Sequence, residues 1–218
     1  MNKKNLAVML LIIATISTLF IAGCSATDET VTFISYAPPA VRTEEGLARA
    51  MQGDYSDVFN PYGGGPNTKL AQDRIYSSFG ISVFYYHPKQ HPEKATLEAI
   101  YLYEGSITFG YTSTDPKNPT PETGEKFNIT WHTKSSLART QFNNWKQILP
   151  NLVESDEKSG YFYAYSETPG LETKDIDKSY AILWMQEGYC FMANMPARYG
   201  LEHILDLCDM EAVDITAQ

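Results

Sequence analysis

The chain has 218 residues, of which 43% are hydrophobic, and it carries a formal net charge of −9. This amount of apolar material is enough for the core of one domain or of two small ones. The excess of acidic residues disfavours nucleic acid as a partner, because that binding depends on Lys and Arg that neutralise phosphates. It also disfavours contact with anionic lipid or anionic wall polymer.

The first 23 residues have the layout of an export signal. Lys3 and Lys4 precede an apolar run over residues 6–23, and the sequence turns polar from residue 25. A basic start, an apolar middle and a small-residue end are typical of a signal peptide. A run of 18 residues is also long enough to span a bilayer. The alternatives are a cleaved signal and an uncleaved anchor helix, and both place the remaining residues outside the cytoplasm.

Cys24 distinguishes between these alternatives. Residues 21–24, with the sequence Ile-Ala-Gly-Cys, resemble the lipobox of bacterial lipoproteins. The resemblance implies that a diacylglyceryl group is attached to the Cys24 thiol and that the peptide is cut in front of it. Two acyl chains hold a protein on a membrane, whereas one chain binds only reversibly. We therefore expect residues 1–23 to be a lipoprotein signal peptide, residues 24–34 a tether, and residues 35–218 a single domain on the extracytoplasmic face of the cell membrane.

The part of the chain that follows the tether is predicted to contain a helix, a loop and a strand. A Thr followed by two acidic residues predicts a short helix over residues 43–51. Two prolines and three consecutive glycines predict a loop over residues 60–69. β-Branched and aromatic residues predict a strand over residues 74–88. Phe59 and Tyr62 lie beside the flexible glycines, and this segment is a candidate recognition loop.

The middle of the chain contains the clearest hairpin pattern. Residues 96–103 and 106–114 are rich in apolar and β-branched residues, and the Glu-Gly dipeptide between them fits a tight turn. After a polar connection with three prolines, residues 125–133 predict a strand with apolar side chains on one face and polar ones on the other. Residues 135–149 have an apolar stripe at helical spacing, and Pro150 ends the predicted helix.

The last third is predicted to fold as a strand, a hairpin and a helix. Residues 160–168 alternate aromatic residues, residues 179–195 form two apolar runs around a glycine-containing turn, and residues 197–210 have helical spacing. We therefore predict an α+β fold with a curved, mostly antiparallel sheet and helices on one face. The C-terminal part of this fold is the strand-hairpin-helix unit.

The C-terminal residues also carry a family resemblance. A strand with Trp184, a turn with Gly188, an aromatic strand with Tyr189 and Phe191, and a short helix follow one another in residues 180–210. This pattern resembles a family of unknown function found at the ends of extracytoplasmic proteins of Gram-positive bacteria, among them lipoproteins and membrane-tethered regulators. The resemblance implies an exported, tethered, non-catalytic domain and brings no active-site residues with it.

Besides Cys24, the sequence contains Cys190 in an apolar strand-like run and Cys208 in a helix-like run. Cys208 falls on the apolar face of the predicted helix, together with Leu201 and Ile204. Thiols outside the cytoplasm can be oxidised, and a disulfide between Cys190 and Cys208 would contribute about 3 kcal/mol by the chain-entropy estimate. Two buried free thiols that act as small apolar side chains are the alternative. The sequence leaves both open.

Three motifs with the spacing of functional sites are interpreted as chance matches. Ser155 and Lys158 have the serine-x-x-lysine spacing of penicillin-binding enzymes, but the other elements of that site are missing from the sequence. His87 and His91 are four residues apart, but the proline after each one disfavours the helix that would direct both rings to one metal. The glycines of residues 63–69 lack the ending of a phosphate loop. We therefore expect no catalytic residue, no metal and no cofactor.

Aromatic residues make up 13% of the chain, and several tyrosines alternate within the predicted strands. Exposed rings on a sheet can stack on sugars or bind a partner protein, whereas buried rings pair across strands and stabilise the sheet. The sequence leaves both interpretations open for the following residues: Tyr85, Tyr86, Tyr101, Tyr103, Tyr161, Tyr163 and Tyr165.

Together these features predict a lipoprotein that is anchored through Cys24 and whose domain binds or senses a protein or an envelope component such as a glycan, without catalysis. Two other functions stay open. One is a cell-envelope glycan hydrolase with paired carboxylates such as Glu98 and Glu104, which would have to lie roughly 5 to 9.5 Å apart. The other is a structural accessory subunit of an envelope complex, for which a contiguous exposed apolar patch would be the sign.

Overall fold

The structure is a computed structural model, and it describes residues 38–61, 68–79, 84–93, 95–113, 126–169 and 176–217. The signal peptide, the tether, Cys24 and Tyr62 lie outside the described residues. Among the helices in these ranges, none combines the length and the apolar character needed to cross a membrane.

The described residues form helices and strands in a mixed order along the chain. The helices are α1 (Glu44–Met51), α2 (Thr68–Phe79), α3 (Ser135–Ile148) and α4 (Leu201–Leu207). Two short 3-10 helices span Ala197–Tyr199 and Ile215–Ala217. The strands are β1 (Ala40–Val41), β2 (Phe84–Pro88), β3 (Ala95–Tyr103), β4 (Ser106–Ser113), β5 (Lys126–His132), β6 (Val153–Glu154), β7 (Tyr161–Pro169), β8 (Ile176–Gln186), β9 (Tyr189–Pro196) and β10 (Met210–Asp214).

Eight of these strands form one antiparallel sheet in the order β1-β3-β4-β5-β9-β8-β7-β6. Strands β2 and β10 pair with each other in a separate two-stranded sheet. The two hairpins predicted from glycine-containing turns are present, one between β3 and β4 and one between β8 and β9. The predicted α+β class with a mostly antiparallel sheet is therefore confirmed, and so is the strand-hairpin-helix order of β7, β8, β9 and α4.

The larger core lies on one face of the eight-stranded sheet, which we call the inner face. A single cross-strand row on this face aligns Tyr161, Trp184, Phe191 and Trp131. The ring of Trp184 stacks between Tyr161 at 5.5 Å and Phe191 at 5.3 Å, measured between centroids. Buried side chains of α1, α2, α4 and the two-stranded sheet join the same apolar cluster.

The opposite face, which we call the outer face, is covered in part by α3. Ala138 and Phe142 of α3 pack against Leu183 of β8 and Cys190 of β9. The helices therefore lie on both faces of the sheet, whereas the sequence predicted them on one. The reason is that β8 and β9 carry apolar residues at consecutive positions, so that both of their faces need cover.

Two secondary-structure predictions are corrected by the structure. Residues 74–79 belong to helix α2 and not to a strand, and only Phe84–Pro88 is extended. Ala71 and Ile75, one helical turn apart, are both buried, and this contact outweighs the local β propensity. The C-terminal helix is also shorter than predicted, because Met210–Asp214 pairs with β2 as strand β10.

No disulfide joins Cys190 and Cys208, since both are free thiols. Cys190 belongs to the cluster under α3 on the outer face, whereas Cys208 follows α4 and belongs to the inner-face core. The candidate disulfide is therefore wrong for this fold, because the two side chains lie on opposite faces of the sheet. The alternative of two buried thiols describes both residues.

Candidate functional site

The structure separates the alternating tyrosines into buried, half-buried and exposed ones, and Tyr101 and Tyr163 are half-buried. Tyr85, Tyr86 and Tyr161 are buried in the inner-face core. Tyr103 and Tyr165, in contrast, are 43% and 42% exposed. The buried rings pair across strands and stabilise the fold, so recognition has to be sought at the exposed ones.

Tyr101 and Tyr103 lie together on the outer face of β3. A bulge between Leu97 and Ala99 shifts the alternation of the strand, so that Ile100 and Leu102 enter the core and the two tyrosines face outward. Their ring centroids are 6.4 Å apart, and the ring planes differ by 38°. The two rings therefore present neighbouring aromatic faces on one side of the sheet.

The Tyr101 ring packs closely against Gly110 of β4. A Cβ atom at this position would lie 2.7 Å from Cε2 of Tyr101, which is shorter than any van der Waals contact. A side chain at residue 110 would therefore displace the ring. Here the glycine is needed for the close approach of an aromatic side chain, not for a turn.

Polar side chains continue this surface across the next strands. Thr108 and Thr130 face each other on β4 and β5, with 2.9 Å between their hydroxyl oxygens. Asn128 of β5 is directly opposite Asn194 of β9, and Asn194 is exposed. With strands about 4.8 Å apart, the surface extends about 14 Å from β3 to β9. We call this surface the tyrosine platform, and its residues are Tyr101, Tyr103, Thr108, Gly110, Asn128 and Asn194, with the side chain of Thr130 buried beside Thr108.

A second group of tyrosines lies near the free ends of β7 and β8. Tyr180 contacts Tyr163 and Tyr165, with centroids 5.9 Å and 5.3 Å away. The Tyr165 hydroxyl donates a hydrogen bond of 2.9 Å to Glu167, which in turn pairs with Lys178. This group is bound to charged neighbours and offers no row of amides or hydroxyls like that of the tyrosine platform.

Phe59, the described member of the candidate recognition loop, is held in place by its neighbours. Its backbone exchanges two hydrogen bonds with Ala40, of 3.0 and 2.9 Å. The guanidinium of Arg42 lies over the Phe59 ring at 4.4 Å from the centroid. Phe59 is half-buried in this arrangement, which gives it a structural role.

His87 and His91 both contact Glu44, in the first turn of α1. Nδ1 of His87 lies 2.9 Å from one carboxylate oxygen, and Nε2 of His91 lies 3.5 Å from the other. Nδ1 of His91 is also 2.9 Å from the Tyr111 hydroxyl. The hydrogen bond with Glu44 raises the pKa of His87. The network ties α1 to β2, and the described ranges hold no group of three or more His, Cys, Asp or Glu arranged around a metal ion.

The serine-x-x-lysine pair does not form a nucleophile and its base. The Ser155 hydroxyl accepts hydrogen bonds from the backbone N–H groups of Glu157 and Lys158. The Lys158 ammonium donates to the carbonyl of Leu205 and to the carboxylate of Asp209. Each group is therefore engaged in holding a turn or in joining this turn to α4.

The paired carboxylates of the hydrolase hypothesis are separated along the chain, with Glu98 in β3 and Glu104 in the turn that follows the strand. Glu98 accepts a hydrogen bond of 2.8 Å from Thr112, near the start of the strand. Six residues of extended chain cover roughly 20 Å, well beyond the 5 to 9.5 Å that glycoside hydrolysis needs.

Sequence reasoning identified Tyr101 and Tyr103 but not the residues that complete the platform. The exposure of Asn194 and the packing of the Tyr101 ring against Gly110 both depend on how the strands pair, which local sequence patterns do not show. Comparison with protein-family models, with curated proteins and with solved structures gave no match for this chain.

Proposed function

We propose that this chain is a membrane-anchored extracytoplasmic lipoprotein whose domain binds an envelope component through the tyrosine platform, without catalysis. The anchor rests on the lipobox-like residues 21–24, which precede the described domain. The binding role rests on the platform itself. The C-terminal resemblance to domains of tethered extracytoplasmic proteins supports the same location.

The observation that carries the binding role is the open part of the outer face. Helix α3 packs on β8 and β9, away from β3, and Tyr103 of β3 is 43% exposed. Two adjacent rings followed by hydroxyl and amide groups suit a glycan, whose apolar sugar faces stack on aromatics and whose hydroxyls bond to amides. The acidic chain favours a glycan without negative charge, since like charges repel.

A glycan hydrolase has less support than a binding domain. Glu98 and Glu104 are too far apart to act on one bond, and neither lies among the residues of the tyrosine platform. The platform offers aromatic faces, hydroxyls and amides, which recognise a ligand but do not supply a general acid and base.

The binding role is tested by co-sedimentation of the detergent-solubilised full chain with isolated cell-wall glycan. We expect Tyr103→Ser to weaken binding at least tenfold, because exposed aromatic residues dominate such interfaces. Tyr165→Ser is the matched control, since Tyr165 is equally exposed but lies outside the platform. Equal effects of the two substitutions, or no binding by the unmodified protein, would contradict the proposal.

The anchor is tested separately with Cys24→Ala. Cells that express the unmodified chain should incorporate an alkyne-labelled fatty acid into it and retain it in the membrane fraction. The Cys24→Ala chain should incorporate none. Label in both chains, or in neither, would contradict lipidation at Cys24.

A further inference from the structure

Three side chains with sulfur or nitrogen atoms, those of His132, Cys190 and Met185, lie side by side on the outer face of the sheet. Cys190 of β9 is directly opposite His132 of β5 on one side and directly opposite Met185 of β8 on the other. Residues that face each other in this way have Cβ atoms about 4.5 to 5.5 Å apart and side chains on the same face. The Cys190 thiol is therefore flanked by an imidazole and a thioether. Met192 lies on the same face, two residues further along β9, at a distance of about 7 Å.

The thiol at the centre of this row is enclosed. Cys190 is 0% exposed, and Ala138 and Phe142 of α3 share its cluster. Met185 and Met192 pack against the same cluster and are only half-buried, so the row lies close to the surface. A small ion can reach such a position through the movement of a methionine side chain, which has three rotatable bonds.

The imidazole of His132 has an unsatisfied atom in this row. Its Nε2 is buried and has no hydrogen-bond partner among the described residues. A buried polar atom without a partner is unfavourable, and a bound ion is one of its ordinary explanations.

We propose that Cys190, His132 and Met185 bind one copper(I) ion, with Met192 as an additional ligand. Thiolate, thioether and imidazole are the ligands that copper(I) prefers, whereas Mg²⁺ and Ca²⁺ require oxygen ligands. The row contains one His and one Cys but no Asp or Glu. The thioether sulfur of Met185 therefore supplies the third ligand.

Binding exchanges a proton for the metal. The Cys190 thiol loses its proton to solvent, a bond forms between sulfur and copper, and copper keeps its +1 charge. Copper(I) affinity should therefore fall as the pH is lowered.

The site is tested by anaerobic titration of copper(I) against the colorimetric chelator bathocuproine disulfonate, with the detergent-solubilised full chain. Every sample carries Cys24→Ala, so that the third thiol is absent. We expect one equivalent of copper(I) per chain, an affinity at least 100-fold weaker for Cys190→Ser, and one about 10-fold weaker for Met185→Leu. X-ray absorption should show sulfur and nitrogen around the copper.

Cys208→Ser provides the matched control, because Cys208 is an equally buried thiol on the opposite face of the sheet. It should leave copper(I) affinity unchanged. Met185→Leu conserves side-chain volume and keeps the test decisive if Cys190→Ser does not fold, as checked by circular dichroism. The proposal is overturned if the chain does not compete with the chelator, if Cys190→Ser or Met185→Leu binds as tightly as its parent, if Cys208→Ser loses binding, or if zinc(II) displaces copper(I).

Discussion

The two faces of the eight-stranded sheet differ in how completely they are covered. On the inner face, three helices and the two-stranded sheet enclose one continuous aromatic core. On the outer face, the described residues that pack on β8 and β9 come mainly from α3, with Leu152 beyond its end. Strand β5 shows the difference within a single element, since Phe127, Ile129 and Trp131 are buried on the inner face while Asn128 is only half-buried on the outer face. Stability is therefore concentrated on one face, and the chemically distinctive side chains lie on the other.

The sharpest test of this division compares Trp184→Ala with Tyr103→Ala. Trp184 is stacked between two rings in the core, and its truncation should lower the free energy of unfolding by about 3 to 5 kcal/mol. Tyr103 is exposed, and its truncation should cost less than about 1 kcal/mol. Urea unfolding followed by circular dichroism measures both. If Trp184→Ala does not fold, Trp184→Phe should still cost more than Tyr103→Ala, and the opposite order would contradict the division.

A second, smaller effect concerns His132 on the covered part of the outer face. Its pKa is lowered to about 4 in the folded chain, whereas in the unfolded chain it is about 6.5. Between these values the unfolded chain binds more protons, so this residue makes the fold less stable as the pH falls from 7 to 4. The metal-free wild-type protein should lose up to about 3 kcal/mol more over this interval than His132→Gln. Parallel pH profiles of the two unfolding free energies would contradict the burial of this ring.

His87, between α1 and β2, should show the opposite sign and a smaller effect. Its pKa is raised by the hydrogen bond with Glu44, with Glu211 adding in the same direction and burial opposing it. The contribution of His87 to the free energy of unfolding is therefore fully present below the unfolded-state pKa of about 6.5. It is lost as the pH rises through the pKa of the folded state. We expect His87→Gln to lower the unfolding free energy by about 1 kcal/mol at pH 5.5 and by little at pH 9. A larger loss at pH 9 than at pH 5.5 would exclude this ion pair.

Much of the sheet was predictable from local patterns. The hairpin at Glu104 and Gly105 and the alternation in β5 depend on residues close in sequence, and both are confirmed. The helix at Thr68–Phe79 was missed because its local β propensity is high and only its contact with the core, through Ala71 and Ile75, reveals the helical spacing. Helix α3 was predicted correctly, but the face it covers depends on the order of the strands.

The candidate sites were predictable only in part. The alternation of Tyr101 and Tyr103 is visible in the sequence. The bulge that turns both side chains outward is not recognisable there. The row of His132, Cys190 and Met185 joins three strands, and nothing in the sequence indicates that β5 pairs with β9. Cys190 was therefore paired with Cys208 in the disulfide hypothesis, whereas its neighbours in the fold are an imidazole and a thioether.

The smallest expected change in stability belongs to Gly110→Ala, which tests the open part of the outer face. The new methyl group would meet the far end of a flexible side chain, the Tyr101 ring, so the ring can move aside at a cost of less than about 1 kcal/mol. The stability of the inner face should be unchanged, while glycan binding should weaken about as much as in Tyr101→Ser. Co-sedimentation and urea unfolding of the same preparations measure the two quantities. If the Gly110→Ala protein bound glycan as tightly as the unmodified protein, the position of the Tyr101 ring over residue 110 would not matter for recognition. That result would contradict a binding role for the tyrosine platform.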